Sequence, residues 1–412
     1  EQARKELGVA GNILSDRKLP EDYIPARVKT METMARLAVI EGDFDAAEKY
    51  LADSRKESSR ASASVQADDF ESKEQLASLL TYLGRYAEPD KLLRPLISDY
   101  EKLFGSESRR LINPLVNQSR LYLLKGDYSN AEQVGQRANR IANSVYGEYS
   151  TKTAPTQKLL ADIYYALGDY EKSKENLNKA LVIQERRYGR KHIEVAKTLS
   201  QLGLSKFYDG DDKADVEKYM SEARDIIAEK LGTSNPQYAD IMKNLAVLYI
   251  SEKKYELAFS ALTTAETIWV AKAGRKNNIN TASIYVLTGD VYYQLRNFKK
   301  ADEFYNKAKS LYERNFSKQH PEYVKVLSKL SRVYFMEQDM RNARKFIEEA
   351  LVNHEAFIKE YFPALSEREK ARYWNTIRGD FEYYNTIAFM QPDAKDLMGR
   401  VYDYQLLTKA LL

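Results

Sequence analysis

Between Leu160 and Ala196 the apolar positions follow a helical period, break once and resume. Leu160, Ala161, Tyr164 and Tyr165 form one stripe. After Gly168-Asp169, Ser173, Leu177, Ala180, Leu181 and Gln184 form a second, with charged residues between them. Glycine can enter the left-handed conformation that ends a helix without a Cβ penalty, so Gly168 marks a reversal. The stretch is predicted to be a helical hairpin with one apolar face on each helix. A lone hairpin leaves one of those faces bare, so copies are needed on either side.

The copies are present. Gly42, Gly84, Gly126, Gly168 and Gly210 follow at a constant step of 42 residues. The glycine is then lost, but the frame continues at Lys253, Arg296 and Gln338, with the first extra residue placed at Lys213-Ala214. Seven residues before each marker stands a small residue: Ala35, Ala77, Ser119, Ala161, Gly203, Ala246, Gly289 and Ser331. The second helices carry their own series, Ala47, Pro89, Ala131, Ser173, Val216, Ala258, Ala301 and Ala343. Small residues at fixed places let neighbouring helices approach closely. Eight repeats are predicted.

This pattern of small residue, Gly-Asp-aromatic turn and alanine-rich second helix resembles the tetratricopeptide repeat (TPR) family. The 42-residue period is longer than that family's common repeat and is similar to the repeats of kinesin light chains and of many bacterial regulators. The resemblance covers Ile24 to Leu351 and implies an all-α fold, a right-handed superhelix (α-solenoid) of about eight hairpins with C-terminal capping or linker helices.

The ends of the chain read differently. Residues 1–23 carry Ala3, Leu7, Ala10 and Leu14 on one stripe, the signature of a capping helix or half-repeat. The stretch 55–69 is polar and rich in small residues, and is the weakest helix of the array. Pro89 is expected to open the second helix of its repeat, with a kink or interruption near Pro95. Residues 352–412 follow no 42-residue frame. Pro363 should end one helix, Ser366 and Glu369 form a capping box that starts the next, and Pro392-Asp393 should stop it. Trp374, Phe381 and Tyr384 make this tail too apolar to stand alone.

The tail sequences Leu365–Lys370, Tyr373-Trp374, Phe381–Tyr384 and Tyr402–Leu412 resemble the helical segment that joins a TPR array to a CHAT domain, a caspase-like cysteine peptidase, in bacterial proteins. The resemblance implies the regulatory part of such a peptidase, with a CHAT domain in cis as a possible partner. The family's catalytic dyad lies downstream of this segment, so no catalytic residue carries over. A stand-alone adaptor of kinesin-light-chain type and a peptide-sensing regulator are the alternatives.

Composition sharpens this only in part. Charged residues make up 30%, in mixed sign, with a net charge of +4. That describes a solvated, ion-paired surface rather than a nucleic-acid footprint. The basic clusters Arg109-Arg110 and Arg186-Arg187 with Arg190-Lys191 read as solvated helix ends. There is no cysteine, so disulfides, thiolate metal sites and a cysteine nucleophile are excluded within this chain. No apolar run reaches the length of a membrane span. His192, His320 and His354 lie in different repeats, and the first two fall at inter-repeat turns, where capping is expected rather than metal ligation. No phosphate-cradling or nucleophile-elbow motif occurs, and neither a cofactor nor an enzymatic activity is expected. Since the chain starts at Glu1 rather than Met, an initiator segment is expected to have been removed by processing or truncation, and either a cytoplasmic or an exported compartment is compatible with the sequence.

Binding is what remains. By analogy with TPR proteins the first helices line the concave face, at positions one and four residues beyond the small marker. Arg120, Asp162, Tyr165, Phe207, Asp290, Tyr293, Arg332 and Phe335 are the candidate groove residues. Aromatics bury much area at low entropic cost, and flanking charges fix register, which suits a protein or peptide ligand. The other reading of these aromatics is as spacers between adjacent helices.

Overall fold

The computed structural model describes residues 5–10, 23–60, 69–273, 279–391 and 395–411, and no strand occurs among them. After a helical stretch over 5–10, the chain forms hairpins in strict succession. They are α1 (Ile24–Glu41) with α2 (Phe44–Ser58), α3 (Asp69–Tyr82) with α4 (Pro89–Phe104), and α5 (Ile112–Leu124) with α6 (Tyr128–Tyr146). Next come α7 (Ala154–Ala166) with α8 (Tyr170–Tyr188), α9 (Ile193–Asp209) with α10 (Lys213–Leu231), and α11 (Pro236–Ser251) with α12 (Tyr255–Ala273). The last are α13 (Ala282–Gln294) with α14 (Phe298–Asn315), α15 (Pro321–Met336) with α16 (Met340–Tyr361), and α17 (Glu367–Phe389) with α18 (Lys395–Leu411). The fold is an all-α solenoid.

Each hairpin closes through its small residues. Ser119 Oγ donates to the Ala131 carbonyl at 2.5 Å, and Ser331 Oγ to that of Ala343 at 2.6 Å. The two series therefore meet face to face. A Cβ at Gly289 would lie 2.5 Å from the Tyr305 ring, so glycine there admits the tyrosine. The turns are built alike: Asp43, Asp127 and Asp169 accept a backbone N–H of the second helix, the N-cap arrangement that satisfies an orphan donor. In the fifth repeat the extra residue falls earlier than the sequence suggested, because Asp212 is the N-cap and Lys213 already opens α10.

The array winds back onto itself. The turn ending α1 lies under the start of α11, and the next three turns are likewise overlaid one hairpin at a time, the last of them by the body of α17 rather than its start. A Cβ at Gly42 would come within 2.6 Å of Pro236, one at Gly126 within 2.5 Å of Pro321, and one at Gly168 within 2.7 Å of Thr376. Gly84 is overlaid in the same way by Ile279. The N-cap residues of the upper turn serve both layers. Asn235 Oδ1 accepts from the Gln237 amide at 2.9 Å, and its Nδ2 donates to the Ile40 carbonyl at 2.8 Å. His320 Nδ1 accepts from the Glu322 amide, and Nε2 lies 2.9 Å from the Leu124 carbonyl. Rings seal the seam: Phe44 stacks on Trp269 with centroids 6.2 Å apart, Tyr86 on Phe316 at 5.0 Å, and Tyr128 meets Phe357 at 5.8 Å.

This seam accounts for the loss of glycine. Lys253, Arg296 and Gln338 still take the left-handed conformation, with φ of 58°, 58° and 63°. They are exposed, so a side chain costs only the conformational strain of about 1 kcal/mol. At the covered turns glycine is required twice, by conformation and by space.

Two expectations need adjustment. α4 runs through Pro95 without interruption. α17 occupies the next first-helix position on the seam, although the sequence frame had lapsed. Its Tyr373, Ile377, Phe381 and Tyr384 join the same apolar core as α15 and α16. Ser366 and Glu369 do form the capping box. Residues 61–68 and the Pro392-Asp393 stop lie outside the described residues, as does most of the segment 1–23.

Candidate partner-binding lumen

The inner faces of the first helices enclose a lumen, and its side chains interact across helices far apart in sequence. Lys158 on α7 stands 3.9 Å from Glu194 at the start of α9, which also accepts from Lys197 at 2.8 Å. Burial pushes the Lys158 ammonium down to about 8. Burial acts to raise the Glu194 carboxyl, but Lys158 and Lys197 outweigh it and hold it at about 2. Asp162 accepts from Gln201 at 2.6 Å, and burial raises its pKa against the pull of Arg120 and Lys158. Asp240 on α11 accepts from the Trp269 indole at 3.2 Å and is likewise raised by burial. Lys325 on α15, paired with Glu322 at 2.7 Å, keeps 60% of its side chain exposed while its charge reaches Tyr128 and Tyr208. Charges on five helices thus share one confined, partly desolvated space.

All eight candidate residues are half-buried on first helices, but the structure divides them. Asp290, Tyr293 and Arg332 come together with Ile250, Gln294, Tyr305 and Lys329 around a pocket of about 330 Å³ spanning α11, α13 and α15. Asp290 is its hub, accepting from Lys329 at 2.7 Å and from the Tyr305 hydroxyl at 2.6 Å. Tyr165 belongs to a separate tyrosine cluster, 5.6 Å from Tyr170 and 5.7 Å from Tyr208, with Phe207 edge-on to Tyr208 at 5.1 Å. Arg120 and Asp162 lie beside Lys158. Arg332 and Phe335 are shared with the tail. Arg332 reaches Asp380 at 3.1 Å, and Phe335 meets the Tyr383 ring at 5.7 Å.

Sequence reasoning passed over Lys329 and Tyr305, the two partners of Asp290. Lys329 falls two residues before the small marker Ser331, outside the positions chosen. Tyr305 lies on a second helix and reaches the lumen only because Gly289 leaves room for its ring. His320 and His192 are both helix N-caps, accepting from the amides of Glu322 and Glu194. Among the described residues no cluster of His, Asp and Glu is placed to hold a metal ion, and no helix is long and apolar enough to cross a membrane.

The tetratricopeptide repeat family matches residues 152–214 and 280–355. The Clustered mitochondria protein homolog of Xenopus tropicalis is 25% identical over 213 residues, half of this chain and 16% of that protein. Its Homo sapiens counterpart is 24% identical over 197 residues, 46% of this chain and 15% of the protein. The matched stretch is thus a small part of these relatives. Among solved structures, a Rap protein complexed with Competence and Sporulation Factor superposes with a TM-score of 0.54 at 13% identity, covering 83% of this chain and 97% of that one. That likeness is one of fold. The chain carries tetratricopeptide repeats, matched directly over 152–214 and 280–355 and flanked on both sides by helical hairpins of the same build.

Proposed function

We propose that this chain is a protein-interaction scaffold whose lumen takes an extended protein segment or peptide. The observation that carries the reading is the pocket across α11, α13 and α15, where Asp290, Tyr293, Lys329 and Arg332 converge from two first helices. Its aromatic wall and paired charges suit one side chain of a bound segment, with the lumenal charges of Lys158, Glu194 and Lys325 fixing register along the remainder. A Rap protein of similar fold was solved in complex with Competence and Sporulation Factor, which supports a binding role for a solenoid of this kind. The test is selection of binders from a displayed random-peptide library. Selected peptides should bind wild type and weaken at least about tenfold on Tyr293→Ala combined with Asp290→Ala, with helicity unchanged. Unaltered affinity in that variant contradicts the reading.

A second reading makes the chain the regulatory arm of a CHAT-type peptidase, carried by the sequence of the tail. One structural observation favours a coupling role for that tail. α17 is tied to the fourth repeat through Arg368 and Arg372 on Glu171, at 2.8 and 2.7 Å, and to the eighth through Asp380. Arg332 joins the pocket to that second tie. A ligand that draws on Arg332 would loosen α17. Trp374 fluorescence in a Trp269→Phe background tests this, since it should shift on peptide binding; no shift at saturation contradicts it.

A further inference from the structure

We infer, on the lumen reading above, that Arg120 on α5 and Lys158 on α7 form a second lumenal subsite, which takes an anionic side chain from the interior of the bound segment. The lumen wall repeats one polar rung. Five charged residues stand one place beyond a small marker: Arg36, Arg120, Asp162, Asp290 and Arg332. Four of them are met by a polar side chain of the following first helix. Arg36 pairs with Glu71, Asp162 accepts from Gln201 at 2.6 Å, Asp290 accepts from Lys329 at 2.7 Å, and Arg332 reaches Asp380 at 3.1 Å. At Arg120 the rung is missing. The α7 residue in the register of Gln201 and Lys329 is Leu159, which is apolar and buried. Among the described residues Arg120 makes neither a hydrogen bond nor an ion pair.

Lys158 stands beside this gap and is itself short of acceptors. Its side chain is 13% exposed, yet among the described residues it makes no hydrogen bond, and its one ion contact is Glu194 at 3.9 Å. Glu194 is engaged more closely by Lys197, at 2.8 Å. Burial first, then the charges of Lys197 and Arg120, lower the Lys158 pKa to about 8 against the pull of Glu194 and Asp162. Cations that have partly left water without acceptors are costly until an anion meets them. Arg120, Lys158 and Lys197 here face two carboxylates, Asp162 and Glu194, and both carboxylates are already bonded. The surplus is positive.

The donors set the chemistry of the occupant. The planar fork of an arginine can grip two oxygens of a carboxylate or phosphate at once, and a lysine adds a point charge beside it. The group that fits is an oxyanion, the side chain of Asp or Glu or of a phosphorylated Ser or Thr. A cationic side chain is refused, because Gln201 and Lys197 hold the two carboxylates while Arg120 and Lys158 repel it. Along the lumen α1 and α3 precede this subsite and α9, α11, α13 and α15 follow it. A segment lying across it therefore continues in both directions, so the anion belongs to an internal residue and not to a free C-terminus. The pocket around Asp290 is a separate anchor on α11, α13 and α15.

The probes are the displayed-library peptides that weaken on Tyr293→Ala with Asp290→Ala, labelled, amidated at the C-terminus and titrated into the whole chain by fluorescence anisotropy. Each should carry one internal Asp or Glu whose change to Asn or Gln weakens binding to wild type at least about tenfold. Against Arg120→Gln with Lys158→Gln the same change should cost less than about twofold, the mark of direct pairing in a double-mutant cycle. Arg120 has no partner to lose, so Arg120→Gln alone should keep the wild-type melting temperature and still weaken the acidic peptides. Phosphoserine at the acidic position separates the two sources of the oxyanion. Binding tighter than the parent peptide assigns the subsite to phosphate, and weaker binding assigns it to carboxylate. Lumen peptides that bind without any acid, or an acid whose removal costs the same in both backgrounds, overturn the inference and leave the lumen reading standing. If no selected peptide responds to Tyr293→Ala with Asp290→Ala, the lumen reading itself is contradicted and the subsite falls with it.

Discussion

Gly126 in the third repeat lies directly beneath Pro321 in the eighth: a methyl group added at Gly126 would stand 2.5 Å from the proline ring. Beside it His320 bridges both layers, capping its own helix and reaching the Leu124 carbonyl of the turn below. A solenoid is ordinarily held by nearest-neighbour contacts alone. Here contacts between turns add a second dimension, and they fix the bore of the lumen.

Gly126→Ala and Gly210→Ala separate the two demands made on these glycines. Both pay the strain of a left-handed alanine, about 1 kcal/mol. Gly126→Ala must also displace the Pro321 ring, and overpacking adds a further 1–3 kcal/mol by order of magnitude, about the range for a tight interior. Thermal melts followed by circular dichroism should place Gly126→Ala well below Gly210→Ala. Equal melting temperatures would show that the turns do not touch in solution.

His320 gives the seam a pH dependence. Burial lowers its pKa from 6.5 against the opposing pull of the Leu124 carbonyl, and the neutral ring is the form that can accept the Glu322 amide at Nδ1. The folded value lies below the unfolded one, so between them only the unfolded chain binds the proton, and acid favours unfolding. This contribution is complete above 6.5 and is lost as the pH falls below it. His320→Asn reproduces the arrangement of Asn235 without a titrating ring. Its melting temperature should fall less than that of wild type between neutral pH and the acid side of 6.5, as parallel melts can show.

Asp380 holds the tail. It accepts from Ser328 at 2.6 Å and from Arg332, and His354 Nε2 lies 3.1 Å from the same carboxylate. Burial acts to raise its pKa, but His354 and Ser328 outweigh it and keep it below the usual carboxylate value. Asp380→Ala leaves three polar groups short of a partner, a cost of about 1–3 kcal/mol. Hydrogen exchange should quicken in α17 and remain unchanged in α7. Unchanged exchange in α17 would remove Asp380 from the account of the tail.

How much of this was legible in the sequence follows from the range of each contact. Hairpins and repeats were readable because each repeat touches its neighbours, so the pattern returns every 42 residues. The seam joins residues such as His320 and Leu124, 196 positions apart, which no local period reports. Its traces were nevertheless present: glycine kept from Gly42 to Gly168 and lost from Lys253 onward, and the prolines at 236 and 321. Within the pocket Asp290, Tyr293 and Arg332 were reachable by analogy with the repeat. Tyr305 was not, because its access to the lumen depends on the missing side chain of Gly289. α17 escaped the frame because its seat at Gly168 is met by Arg372 and Thr376, well inside the helix, rather than by residues at its start.

The most direct measurement on the central claim is hydrogen exchange with and without a peptide selected against the whole chain. The lumen account predicts protection concentrated on α11, α13 and α15, at and around Ile250, Asp290, Tyr293 and Arg332. Protection confined to the second helices or to the outer face of α18, with those three helices unchanged, would contradict it.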